Sequence, residues 1–299
     1  MTGSDVAVLI STHDRHDDAR INMEIVRGVW SRCLDPVVLV HAHNGPRPWR
    51  RHLEDQTVVV PPGPSHYTGA AQLIDAGSRV IAEEYRHVRY VVYLASDTWL
   101  YRPERLAAIL DDMRGGDLRL AAAPFEVSDT SHGVRRQRGD PALLPGNGLT
   151  TDFFVADLPW AWEYGLFPLD LAGFVAQYGD LLAYFQEIVL LEKHIEGRYL
   201  AAVRRYMQRI GWRKDGLGSE GMRHGRRMLR LVQERPIDPA GLAAPPHKGH
   251  WPELGLITVE EPGDKQAALR AVDGMQAGPL LDRFLHDDDL SWFNAPNGP

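Results

Sequence analysis

At 299 residues the chain can bury a full α/β core, and 44% hydrophobic with 24% charged residues is an ordinary globular balance. A net charge of −7 argues against a nucleic-acid binder working through bulk positive charge. The single cysteine, Cys33, excludes an intrachain disulfide framework and a cysteine-built zinc site, and fits a reducing, cytoplasmic setting.

Met1 to Asp5 lacks the basic, apolar and small-residue order of a signal peptide, and no stretch approaches the ~20 apolar residues of a spanning helix. Val6-Ala-Val-Leu-Ile10 reads as a first strand ending at Ser11-Thr-His13. Asp17 to Arg32 has helical spacing, with Ile21, Ile25 and Val29 on one face and Asp17 or Asp18 as cap. Pro36 to His41 is a second strand, stopped by His43-Asn-Gly-Pro46; Thr57 to Val60 is a third, ended by Pro61-Pro62. Gly69 to Tyr85 is a helix. Val88 to Leu94 is β-branched and aromatic, the composition of a buried central strand; it breaks into Ala95-Ser-Asp97, and Arg102-Pro103 opens the next helix. This alternation implies parallel pairing and a Rossmann-like α/β fold, a mostly parallel central sheet flanked by helices.

After residue 118 the order is less regular. Leu118 to Pro124 reads as a strand, and 128–148, rich in Gly, Asp, Arg and Pro, as a loop over the sheet edge. Thr150 to Asp157 is a strand, followed by an aromatic cluster of Trp160, Trp162, Tyr164, Phe167 and Phe174. Phe185 to Met207 is a long helix and Met222 to Val232 a short basic one. His247-Lys-Gly-His-Trp251 falls in a Pro/Gly-flanked loop, Ile257 to Val259 is a last strand, and Asp264 to Met275 a last helix. The tail from Asp287 is acidic and reads as frayed. The whole is an α/β core with a helical C-terminal extension.

A Gly-x-Gly-x-x-Gly after the first strand, a P-loop and a Gly-x-Ser-x-Gly elbow are all absent, which removes the commonest dinucleotide, nucleoside-triphosphate and α/β-hydrolase readings. What remains is an ordered series of strand-end elements: Ser11-Thr-His-Asp-Arg15, His43-Asn-Gly-Pro46, Tyr67-Thr-Gly-Ala-Ala-Gln72 with Gly77, and Leu94-Ala-Ser-Asp97. In a parallel sheet these ends share one rim, where ligands of such sheets bind. A lone carboxylate there can hold a hard cation; alternatively Asp97 only caps the following helix.

The series resembles the nucleotide-sugar half of a GT-A glycosyltransferase of the family-2-like group. The resemblance matches Thr12 and Arg15 to the loop beside the nucleoside, Asn44 and Gly45 to the base-reading turn, Gly69 and Gly77 to the helix under the phosphates, and Asp97 to the second Asp of Asp-x-Asp. Ala95 stands where the first Asp would be. It implies a GT-A fold, with residues 1–125 as the nucleotide-sugar half, 126–260 as the acceptor half and 261–299 as C-terminal helix and tail. It implies a nucleotide-diphospho-sugar donor, a divalent metal (Mn²⁺ or Mg²⁺) on Asp97, and a saccharide or natural-product acceptor. Ser96 joins the donor-binding candidates. In many enzymes of this fold a late histidine completes the metal shell; His247, ahead of His250, is that candidate, with Lys248 on the diphosphate, unless these are solvated loop residues.

An inverting transfer needs a carboxylate base on the acceptor hydroxyl. Glu187, near the start of the long helix, is the candidate the family favours, and Asp152 the second; a retaining enzyme needs neither. Each also has a bland role: Glu187 as a helix N-terminal acid, Asp152 as a buried strand residue. The aromatic cluster is core or an acceptor platform. The basic run from Arg204 to Arg230 is a solvated face or a contact for a phosphorylated acceptor or anionic membrane. Two other readings stay open: a non-catalytic GT-A-like nucleotide-binding or scaffold protein, which Ala95 favours, and a sugar-nucleotidyltransferase. Oligomeric state is not legible in the sequence.

Overall fold

The computed structural model describes residues 4–62, 66–124, 149–171, 173, 187–210, 228–231, 250–251, 255–258, 261–275 and 277–296. Strand β1 (Val6–Thr12) is buried along its whole length, and its alternation feeds two cores. Val6, Val8 and Ile10 face one layer, and Ala7 and Leu9 face the other. A strand apolar on both sides needs helices on both sides, and the chain supplies them.

Beside β1 lie β2 (Val38–His43) and β3 (Gln56–Val59) on one side and β4 (Tyr90–Ala95) on the other. All of these pair in parallel. Beyond β4 come β7 (Leu149–Asp157), β6 (Leu120–Pro124) and β8 (Leu229–Leu231), so the order is β3-β2-β1-β4-β7-β6-β8. β7 runs antiparallel to both β4 and β6, while β6 and β8 are parallel. A second small sheet joins β5 (Trp99–Leu100), β10 (Leu256–Ile257) and β9 (His250–Trp251).

Helix α1 (His16–Glu24) continues through a wide turn, Ile25–Val29, and a tight one, Trp30–Arg32. It shares the first core with α3 (Glu104–Gly115), α6 (Pro262–Arg270) and α7 (Pro279–His286), through Ile21, Trp30, Leu110, Leu269 and Phe284. The second core unites α2 (His66–Glu84), α4 (Leu158–Glu163) and α5 (Glu187–Arg209), through Ile74, Trp160, Tyr199 and Met207. Gly77 of α2 lies where a Cβ would come within 2.3 Å of the Leu9 side chain, so its lack of a side chain lets α2 settle onto β1. No helix among the described residues is long and apolar enough to cross a membrane.

Four expectations from the sequence change. Leu229–Leu231 is strand, not helix, because it completes the ladder on β6. His250–Trp251, expected in a loop, is likewise strand, paired with β10 in the small sheet. Helix α7 follows the helix expected to be last. The segment after Asp287 is not frayed at its core: Phe293 is buried against Phe284 and Trp99, and Asn294 bonds to α1. The 128–148 loop and Phe174 lie outside the described residues.

Candidate functional site

Parallel pairing of β2, β1 and β4 brings three strand ends to one rim. Thr12 sits opposite His43, and Ser11 opposite Ala95. The loops beyond knit together: the Asn44 amide donates to the Thr12 carbonyl at 3.4 Å, and His13 Nδ1 lies 3.1 Å from Asn44 Oδ1. Gly45 has to be glycine, since a Cβ there would sit 1.6 Å from the His13 carbonyl oxygen. Asn44 Nδ2 also reaches the Gly69 carbonyl at 3.5 Å, which ties the turn to the first turns of α2. Thr12 Oγ1 is buried at this rim and has no hydrogen-bond partner among the described residues.

Asp97 lies in the β4–β5 turn, not at the start of α3, whose N-cap is Pro103; capping is not its role. The turn is held from below. The Thr98 amide donates to the Ala95 carbonyl at 3.0 Å. Buried Asn22 of α1 donates to the carbonyls of Thr98, at 2.8 Å, and Ala95, at 3.3 Å. The Trp99 indole donates to Ser96 and Asp18 carbonyls, both at 3.1 Å. Lys265 of α6, only 1% exposed at its side chain, donates to the Asp97 carbonyl at 2.7 Å and to Asp18 Oδ1 at 2.6 Å, with its ammonium 4.1 Å from the Trp99 ring centre. Arg15 Nη1 reaches Asp97 Oδ2 at 3.1 Å and Asp18 Oδ2 at 3.9 Å. Burial pushes the Asp18 carboxyl up, and Lys265 opposes that push.

Because β7 is antiparallel, its beginning is at this rim. Leu94 pairs with Phe153, so Asp152 falls beside Ala95. Tyr93, whose hydroxyl is 2.7 Å from Ser11 Oγ, feels both the Asp152 and Asp97 charges; burial foremost, and then these charges, push its pKa up. Helix α5 is tied at its C-terminal half to the α4 region, where Arg205 donates to the Tyr164 carbonyl and Arg198 to the Gly165 and Leu166 carbonyls. α4 follows the β7 end remote from the rim, and Glu187 is the first residue of α5. Trp160, Tyr164 and Phe167 are core on this layer, and Arg198 and Arg205 serve as backbone ties. His247 and Lys248 lie outside the described residues.

Beside the rim the sequence reading missed a cluster of buried imidazoles. His41 and His43 lie two residues apart on β2, His16 opens α1, and Trp49 packs against His41 with ring centres 3.8 Å apart and planes tilted by 40°. His16 lies 5.3 Å from both the His43 and Trp49 rings. Burial first, then the Arg47, His43 and Arg20 charges, hold His16 down to about 4; burial also lowers His41 well below its ordinary value. Lys265 and Asn294 were missed as well, although Lys265 is one of only four lysines in an arginine-rich chain.

Among the described residues no group of three His, Cys, Asp or Glu is placed to hold a divalent metal. The rim gives two carboxylates, Asp97, already bonded to Arg15, and Asp152 on the neighbouring strand, with Ala95 where the first Asp of Asp-x-Asp would stand. Asp18 is taken by Lys265 and by Asn294 Nδ2, the latter at 2.7 Å. This donor set does not make a metal site.

No family model matches the chain. No curated protein matches it either. Among solved structures it is similar to galactosyltransferase LgtC in complex with donor and acceptor sugar analogs, at 14% identity and TM-score 0.39 over 76% of this chain and 87% of that one. It is also similar to the glycosyltransferase GlyE of Streptococcus pneumoniae TIGR4, at 12% identity and TM-score 0.38 over 78% of this chain and 55% of that one. A third is the bifunctional glycosyltransferase WbbM, at 13% identity and TM-score 0.32 over 55% of this chain and 33% of that one. Values this low carry no weight for activity.

Proposed function

We propose that the protein is a glycosyltransferase that moves a sugar from a nucleotide-diphospho-sugar to an acceptor hydroxyl. The observation that carries this reading is the convergence of Thr12, Asn44, Gly69, Asp97 and Asp152 on one rim, at the carboxyl ends of three parallel strands. Asn44 and Thr12 would meet the nucleoside, the first turns of α2 with Gly69 would underlie the phosphates, and Ser96 would border the sugar. The acceptor oxygen forms a bond to the anomeric carbon as the bond from that carbon to the phosphate oxygen breaks; the nucleoside diphosphate leaves with the electron pair. The acceptor proton passes to a carboxylate, Asp152 beside the rim or Glu187 at the head of α5. Mn²⁺ or Mg²⁺, which the family resemblance implies, is given no part in this transfer, because the described rim supplies no ligand set for it. The exposed free thiol Cys33 suits a cytoplasmic setting.

A second reading, a nucleotide-binding protein without turnover, is favoured by Ala95. One experiment separates the two. Thermal shift with UDP, GDP and TDP identifies the nucleotide. Its sugar conjugates are then tested for hydrolysis or transfer, for wild type and for Asp152→Asn and Glu187→Gln. The enzyme reading expects turnover that falls by about 10²-fold or more in one of the two variants with nucleotide affinity kept. Binding without turnover selects the second reading, and no shift with any nucleotide rejects both.

A further inference from the structure

Resting on the donor-site reading above, we infer that the positive charge meeting the donor's diphosphate is Arg15, carried by the protein itself, and that Asp97 serves to orient Arg15 instead of ligating a metal. From inside to outside the four charges of the rim run cation, anion, anion, cation. Lys265 is 1% exposed at its side chain, Asp18 2%, Asp97 12% and Arg15 33%. The innermost cation cancels Asp18, so the buried pair adds little net charge to the surface. The outermost group is a cation, and an anion arriving at the β1–β4 rim meets it first.

The guanidinium has donors to spare. It carries five N–H groups, and both carboxylate contacts run through Nη1. Nε and Nη2 have no protein partner among the described residues, which leaves one edge of the fork open for a bidentate phosphate contact. Asp97 and Asp18 grip the guanidinium from one side, so little conformational freedom is lost when an anion binds the other. The Asp97 turn is fixed in turn by Asn22, Trp99 and Lys265. The N-terminus of α1 does not compete for the anion, because Asn294 Oδ1 already accepts from the Asp17 and Asp18 amides. Ala95 agrees with this arrangement: a carboxylate at that position, beside Asp97 and Asp152, would add to the repulsion of the diphosphate unless a metal stood between.

The test is a titration of the full chain with UDP and GDP, in EDTA and in Mn²⁺, for wild type, Arg15→Gln, Arg15→Lys and Asp97→Asn, with melting temperature read on each variant without ligand. The expected result has three parts. The affinity of wild type for the better nucleotide is the same in EDTA and in Mn²⁺ to within about threefold. Arg15→Gln weakens it by roughly tenfold or more, and Arg15→Lys recovers part of the loss. Asp97→Asn weakens it equally in EDTA and in Mn²⁺. Mn²⁺ strengthening wild-type binding by more than tenfold, or Arg15→Gln binding like wild type while folded, overturns the inference and leaves the donor site standing. If Arg15→Gln fails to fold, Arg15→Lys and Asp97→Asn decide by the same criteria. Wild type that binds neither nucleotide in either condition sinks the donor-site reading and this inference with it.

Discussion

Asp18 is where three distant parts of the chain meet. Its carboxylate accepts from Lys265 of α6 and Asn294 of the C-terminal segment and lies near Arg15. Removing one partner of a buried ion pair leaves an uncompensated charge, at a cost of about 3–5 kcal/mol. Lys265→Met should therefore destabilise the protein by that amount in urea denaturation, and adding Asp18→Asn should recover part of the loss. A double variant that is as unstable as the sum of its singles would show that the two charges are not coupled. His16 is the other residue whose surroundings make a prediction. It faces His43 of β2, Arg20 of α1, and Asp14 and Arg47 from the flanking loops, and its folded pKa is about 4 against an ordinary 6.5. Between these values the unfolded chain binds the proton and the folded one does not, so stability falls as pH drops from about 6.5 toward 4, by up to ~1.4 kcal/mol per pH unit. His41 adds in the same direction. Urea midpoints at pH 7 and pH 5 should show this loss, and His16→Gln should reduce it. An unchanged slope in the variant would remove His16 from the account.

At the scale of elements, the C-terminal segment and α1 cap each other. Buried Glu24, at the end of α1, accepts from the Leu280 and Leu281 amides in the first turn of α7, and Asn294 accepts from the first-turn amides of α1. Each supplies what an isolated helix end lacks. The strands and helices of residues 6–115 were legible because their apolar periodicity is strong: Ile21, Ile25 and Val29 do form one buried face, and Val88 to Leu94 overlaps the central strand Tyr90–Ala95. The mutual capping was not legible, because Glu24 and Asn294 are polar residues whose partners lie more than 250 positions away. The two-residue strands β5, β9 and β10 are too short to carry a period, and β8 reads as helix because it falls inside the arginine-rich stretch Met222 to Val232. At the rim, the strand-end residues were legible from their order. The imidazole cluster was not, since His41 and His43 look like ordinary strand residues until Trp49 folds over them.

For the molecule as a whole, two helical layers clamp a sheet whose β1, β2 and β4 ends form one rim, and residues 261–275 and 277–296 are part of that rim's foundation. The central claim is that a nucleoside diphosphate seats there. Hydrogen exchange followed by mass spectrometry, with and without the nucleotide that raises the melting point, tests it most directly. Protection should concentrate in 11–16, 43–46, 66–70 and 94–99, three strand ends and one helix head far apart in sequence. Protection confined to other segments, with these four unchanged, would contradict it.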